Sequence, residues 1–167
     1  TSVLFKGRET TPNGETDGDA STPAGERIKI GFMGPLSGDA ATYGESIKRG
    51  VELAQEVLLL ENVEITYEDS KCEAKEAANV VNKLISVDKV VAIIGEACSS
   101  ATLAAAPVVN ENKVVLISPA STSPELTAAG DYVFRVIPSD TLQGSFAAKL
   151  VYDKGYRKLA ILSINDD

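Results

Sequence analysis

The chain has 167 residues, of which 44 % are hydrophobic and 24 % charged, as expected for one soluble globular domain. Its 24 acidic and 16 basic residues give a net charge of −8, and only 5 % of residues are aromatic; with no basic block, binding to nucleic acid is excluded, because that needs Lys and Arg against phosphates. There is no histidine, which excludes Ser-His and Cys-His nucleophiles and His-based metal sites but leaves Ser-Lys and carboxylate chemistry open.

Residues 1–26 are rich in Thr, Ser, Gly, Pro and acidic residues, with only Val3, Leu4 and Phe5 apolar in a row. Such a segment buries too little surface to offset its chain entropy and is expected to be a flexible leader or tether. No run reaches the roughly 18 apolar residues of a membrane-spanning helix, and no basic-then-apolar start marks a signal peptide. A trimmed secreted protein shares both features.

Order is expected from a strand at 27–33, followed by a helix within 42–62 whose Ile47, Val51, Ala54 and Leu58 share one face. The alternation at 63–69 predicts a strand. Residues 73–86 predict a helix with Ala77, Val81 and Leu84 on one face. The apolar run 90–95 reads as a strand covered on both sides. A helix is expected over 100–112, ended or kinked by Pro107, then strands at 113–118 and 132–137. Residues 140–155 read as a helix capped by Gly155, and 158–164 as a strand. The chain stops three residues later, as expected of a fragment. This alternation predicts an α/β fold, a doubly wound and mostly parallel sheet in the flavodoxin-like order 2-1-3-4-5, with helices on both faces.

Ligands of such sheets bind at the carboxyl ends of the strands. The four loops there, "GPLSGDAATYG", "EDSKCEAK", "GEACSSAT" and "SPASTSPEL", are rich in small and hydroxyl-bearing residues. Ser99 and Ser100 open a helix, where free backbone N–H groups favour an anion; a plain N-cap role explains a serine there equally well. Pro119 and Pro124 bracket the second hydroxyl loop. A small zwitterion fits between the two loops, its carboxylate at Ser99 and its ammonium at the Ala120 carbonyl and the Thr122 hydroxyl. Tyr43 stands as a wall, or packs the start of its helix. Cys72 and Cys98 follow the second and third strands, and three readings are open: buried thiols, a metal pair, or a disulfide. Strands two and three flank the first in the order 2-1-3, about 10 Å apart, so their loops must lean over it for the sulfurs to meet.

The stretches "IKIGFMGPLSGDAATYGESIKRGVELA", "EDSKCEAKEAANVVNKLI", "AIIGEACSSATLAAAPV", "VLISPASTSPELT" and "FRVIPSDTLQGSFAAKL" occur in this order. Together they resemble the first lobe of the leucine/isoleucine/valine-binding periplasmic proteins, type I solute-binding proteins of ABC importers, from about Arg27 to the chain end. The resemblance implies a non-enzymatic receptor that closes two lobes on an amino acid and delivers it to an ABC permease, without a cofactor or metal. It implies a first lobe at 27–138 and the start of a second at 139–167. It assigns ligand contacts to Ser99, Ala120, Thr122 and Tyr43, with Ser100 beside them, and a disulfide to Cys72 and Cys98. A periplasmic or extracellular location follows, compatible with lipoprotein tethering. The turn "LLLENVEI" is shorter than the family's glycine-rich turn, at the back of the lobe. The family's aromatic clamp and the acid that pairs with the ammonium belong to the second lobe, so the ligand is open, and relatives of the fold bind amides and aromatic acids. A sensory ligand-binding domain of the same fold is the alternative to a transport protein. The loops argue against a phospho-receiver, a P-loop and a dinucleotide site, because they lack the paired acids, G-x-x-x-x-G-K-[ST] and G-x-G-x-x-G.

Overall fold

The computed structural model of the chain describes residues 27–162; the expected leader at 1–26 and the last residues, 163–167, lie outside the described residues. In chain order the elements are β1 (Ile28–Gly34), α1 (Ala41–Val57), β2 (Val63–Asp69), α2 (Ala74–Ser86), β3 (Ala92–Gly95), α3 (Ser99–Asn112), β4 (Val115–Ser118), a 3-10 turn (Pro124–Ala128), β5 (Val133–Arg135) and α4 (Asp140–Asp153). The strands form one sheet in the order β2-β1-β3-β4-β5, and every neighbouring pair is parallel. The expected α/β class and strand order are therefore found. Gly34 pairs with Asp69, and Met33 with Gly95, so the first three strands end level and their loops emerge along one edge.

Side chains alternate across each strand, and the two faces are treated differently. Met33, Ile93 and Leu116 point to one face, where they meet Ala77, Val81 and Leu84 of α2 and Ala101, Ala105 and Val109 of α3. All nine are fully buried. Burying a Leu or Ile side chain contributes about 1.5–3 kcal/mol, so this face holds the core. Gly31 belongs to it: a Cβ there would lie 2.9 Å from Leu84 Cδ1, which lets α2 close on β1. On the opposite face α1 sets Ile47, Val51 and Ala54 against Ile30, Ile65 and Ile94 around a cavity of about 420 Å³.

Several expectations need correction. Leu58 does not continue the α1 stripe. The helix ends before it, Leu59 adopts a left-handed conformation (φ 50°), and Leu60 takes the place beside Val51 and Ala54. Pro107 does not end its helix, because α3 runs on to Asn112. The proline is exposed, and the burial of Ala105, Ala106 and Val109 around it outweighs the one hydrogen bond it removes. Only part of the run 90–95 is strand: Val91 is 61 % exposed and the strand begins at Ala92, with Ile93 in the core and Ile94 on the α1 side. Residues 158–162 form no strand. A strand needs a neighbour for its backbone N–H and C=O groups, and among the described residues none lies beside this run; Ser163 and Ile164 fall outside the described residues. Gly155 follows α4 with φ 86°, as its expected capping role requires.

Candidate functional site

The loop after β1 is held by the end of β2. Asp69 Oδ1 accepts from the amides of Leu36 (2.8 Å), Ser37 (3.3 Å) and Lys71 (3.0 Å), and Oδ2 accepts from Ser37 Oγ (2.5 Å). Partial burial opposes ionisation, but these donors outweigh it and hold the Asp69 carboxyl below the usual carboxylate range. Gly44 lets the start of α1 close on the same loop, for a Cβ there would lie 1.8 Å from the Pro35 carbonyl oxygen. Tyr43 consequently sits in the first turn of α1 with half its surface exposed.

Cys72 and Cys98 form a disulfide, with Cα atoms 5.5 Å apart. Of the three readings open at the sequence level, this is the one found. The loops after β2 and β3 do lean together over β1, as the bridge requires. Lys71 and Cys72 reach this position through two consecutive left-handed conformations, braced by the Glu73 amide donating to the Ser70 carbonyl (2.9 Å). Cys72, Cys98 and Glu96 place their sulfur and carboxylate atoms within 4.8 Å of one another, but sulfurs joined in a disulfide are not thiolate ligands.

The N-cap of α3 is Cys98, with no side-chain cap bond, so neither Ser99 nor Ser100 is the cap. Ser99 and Ser100 are the first two helical residues, beside the unpaired N–H groups of the first turn. Ser99 Oγ accepts from the amide of Ser123 (3.2 Å). The helix start and the loop after β4 are thereby tied directly. That loop is fixed from below as well. Ser118 Oγ donates to the Glu96 carbonyl (2.6 Å) and accepts from the Ser121 amide (2.9 Å). Ser121 Oγ lies 2.7 Å from Thr102 Oγ1. From the side, Arg135 donates to the carbonyls of Thr122 (3.2 Å) and Ser123 (2.7 Å) and to Thr127 Oγ1 (2.7 Å).

Ser99, Ala120 and Thr122 thus lie on two loops held against one another, with Ser100 alongside. Tyr43 stands on the α1 side of the edge and shares no hydrogen bond with them. Among the described residues the Thr122 hydroxyl enters no hydrogen bond. Its residue also borders an apolar cavity of about 420 Å³ with Ile137, Pro138, Leu142 and Phe146. The arrangement offers hydroxyls, a helix N-terminus and an apolar space.

Sequence reasoning missed Asp69, Arg135 and above all Glu96. Glu96 is fully buried, its Oε1 accepting from Ser70 Oγ (2.5 Å) and its Oε2 from the Cys98 amide (2.5 Å). Burial pushes its carboxyl above the usual range, against the pull of these bonds and with some repulsion from Asp69. The only sequence signal was a lone acid directly after an apolar strand.

A family model described as periplasmic binding protein matches residues 27–167. An amino acid binding protein of Pseudomonas aeruginosa is 33 % identical over 154 residues, covering 87 % of this chain and 41 % of that protein. Among solved structures, the leucine binding protein LivK from Thermotoga maritima is 38 % identical with a TM-score of 0.71, over 76 % of this chain and 37 % of that one. The branched-chain amino acid transporter substrate binding protein LivJ from Streptococcus pneumoniae, in complex with isoleucine, is 36 % identical with a TM-score of 0.71, over 77 % and 38 %. The chain spans about two fifths of the length of these relatives.

Proposed function

We propose, on the premise that this chain belongs to the periplasmic binding protein family, that it supplies one half of a binding site for an amino acid. The observation that carries the reading is the bond from the Ser123 amide to Ser99 Oγ, which joins a helix N-terminus to a hydroxyl loop at the carboxyl edge of a parallel sheet. The ligand's carboxylate meets Ser99 and Ser100 at the start of α3. Its ammonium meets the Ala120 carbonyl and the Thr122 hydroxyl, and Tyr43 borders its side chain. A second lobe, beginning near residue 139 with α4, closes over the ligand. The whole protein is a non-enzymatic receptor that delivers its ligand to an ABC permease from the periplasmic or extracellular side. Among the described residues no helix is long and apolar enough to cross a membrane.

The test is calorimetric titration of the full-length protein with L-leucine, L-isoleucine and L-valine, and with 4-hydroxybenzoate as a carboxylate lacking an ammonium. Saturable binding of at least one amino acid is expected. Binding of 4-hydroxybenzoate with no response to any amino acid would overturn the assignment of Ala120 and Thr122 to an ammonium.

A further inference from the structure

Glu96 is the only fully buried charged side chain among the described residues. It makes none of the proposed ligand contacts, yet the loops after β2, β3 and β4 are fastened to it. Its carboxylate accepts from Ser70 Oγ, after β2, and from the amide of Cys98, the N-cap of α3. Its own carbonyl accepts from Thr102 Oγ1 (3.2 Å), Ser118 Oγ (2.6 Å) and Ser121 Oγ (3.0 Å). The buried carboxylate therefore occupies the same helix N-terminus to which an anionic ligand would dock. Ser99 is one residue beyond the Cys98 amide. A carboxylate at Ser99 would share that helix terminus with the carboxylate of Glu96, one residue along. Two negative charges this close, one of them away from water, disfavour each other.

The surroundings leave Glu96 as the group that can yield. Facing it from the end of β2 is Asp69, whose bonds from Ser37, Leu36 and Lys71 keep it ionised. The turn after β2 and the loop after β1 bring Lys71, Glu73 and Asp39 around a cavity beside the disulfide. From α3 and the loop after β4 come only hydroxyls: Ser99, Thr102, Ser118 and Ser121. Burial and the charge of Asp69 already favour the neutral form of Glu96. The chain has no histidine, so no side chain in it ordinarily titrates between about pH 5 and 8.

We propose that binding of an anionic group at the start of α3 is coupled to protonation of Glu96, so that the site takes up a proton together with its ligand. This rests on the reading of Ser99 given above. The proton comes from solvent and is held on Oε1. There the Ser70 hydroxyl turns from donor to acceptor, while Oε2 keeps the bond from the Cys98 amide. By linkage, affinity for the anion rises as pH falls through the titration of Glu96. An amino acid keeps both of its own charges across about pH 5–7, so the ligand does not supply this dependence. Glu96 acts through the α3 terminus and is a positioning residue.

The experiment is calorimetry of the full-length protein with L-leucine from pH 5 to 7, in paired buffers of different ionisation enthalpy. The wild type should take up a fraction of a proton per leucine and bind about ten-fold more tightly at the acid end, the size expected for like charges at this distance in a partly screened site. Glu96→Gln keeps an acceptor for the Cys98 amide and an NH2 group for Ser70 Oγ. It should bind leucine with no proton uptake and no pH dependence. A second readout needs no variant: the side-chain carboxyl resonance of Glu96 should titrate at a higher pH with leucine than without. Zero uptake in the wild type, uptake unchanged in Glu96→Gln, or an unmoved Glu96 midpoint would overturn the coupling while leaving the binding reading intact. Absence of binding of L-leucine, L-isoleucine and L-valine by the wild type at every pH would overturn that reading, and the coupling with it.

Discussion

The Ser99 hydroxyl serves two partners at once. It accepts from the Ser123 amide, and its one O–H proton remains to be donated. In the proposed complex that proton goes to the ligand's carboxylate. Ser99→Ala then removes a charge-assisted bond, on the order of 1.5–3 kcal/mol, and should weaken amino-acid binding about ten- to a hundred-fold. Thr122→Ala should cost a similar factor through the ammonium side. The two variants should differ in stability, because only Ser99→Ala breaks a bond within the fold; its melting temperature should fall and that of Thr122→Ala should stay near the wild type. Calorimetry and thermal unfolding of both variants check this. The hydroxyls were legible in the sequence because strand-end loops of small residues are where such sheets bind ligands. Glu96 was not. Its burial arises from three loops converging on one point, and nothing local distinguishes the Glu of "GEAC" from an exposed loop acid.

At the scale of elements, α2 was legible almost residue for residue. Its buried Ala77, Val80, Val81 and Leu84 follow the helical period. The α3 helix was less so, because a proline at its ninth position competes with a packed face that only the fold reveals. The run at 158–162 shows the converse, since apolar and β-branched residues make a strand only where a neighbour exists. The loops after β2 and β3 are joined by the Cys72–Cys98 bond across a separation of 26 residues. Closing a loop of that size contributes about 3–4 kcal/mol in the chain-entropy model. Replacing both cysteines with serine should lower stability by roughly that amount in denaturant unfolding. The unreduced wild type, unfolded, should show no reactive thiol. Two labelled cysteines, or a double variant as stable as the wild type, would remove the bridge from the account of how these loops are held.

For the whole molecule, the sheet is closed on one face and only partly covered on the other. The α2–α3 face holds the core cluster. On the α1 side, Ile117 is 38 % exposed and Phe134 52 %, and Leu142, Phe146 and Leu150 form an exposed stripe along α4. The sheet order was legible from the alternation of strands and helices together with the family resemblance. The uneven burial of its faces was not, because an apolar residue reads the same whether or not something covers it. The proposed site shares this openness, since the ligand groups sit on one edge and only the proposed second lobe would exclude water from them. Hydrogen bonds to a zwitterion contribute little in contact with water.

The central claim is that the loops starting at Ser99 and Ala120 form one half of an amino-acid site. It is tested most directly by amide NMR of this 167-residue chain titrated with L-leucine. The expected result is a dissociation constant of about 1 mM or weaker, near −4 kcal/mol, with shifts confined to Tyr43 and residues 98–101 and 119–123. Micromolar binding, or shifts centred on the cavity beneath α1 at Ile47 and Val51, would contradict it.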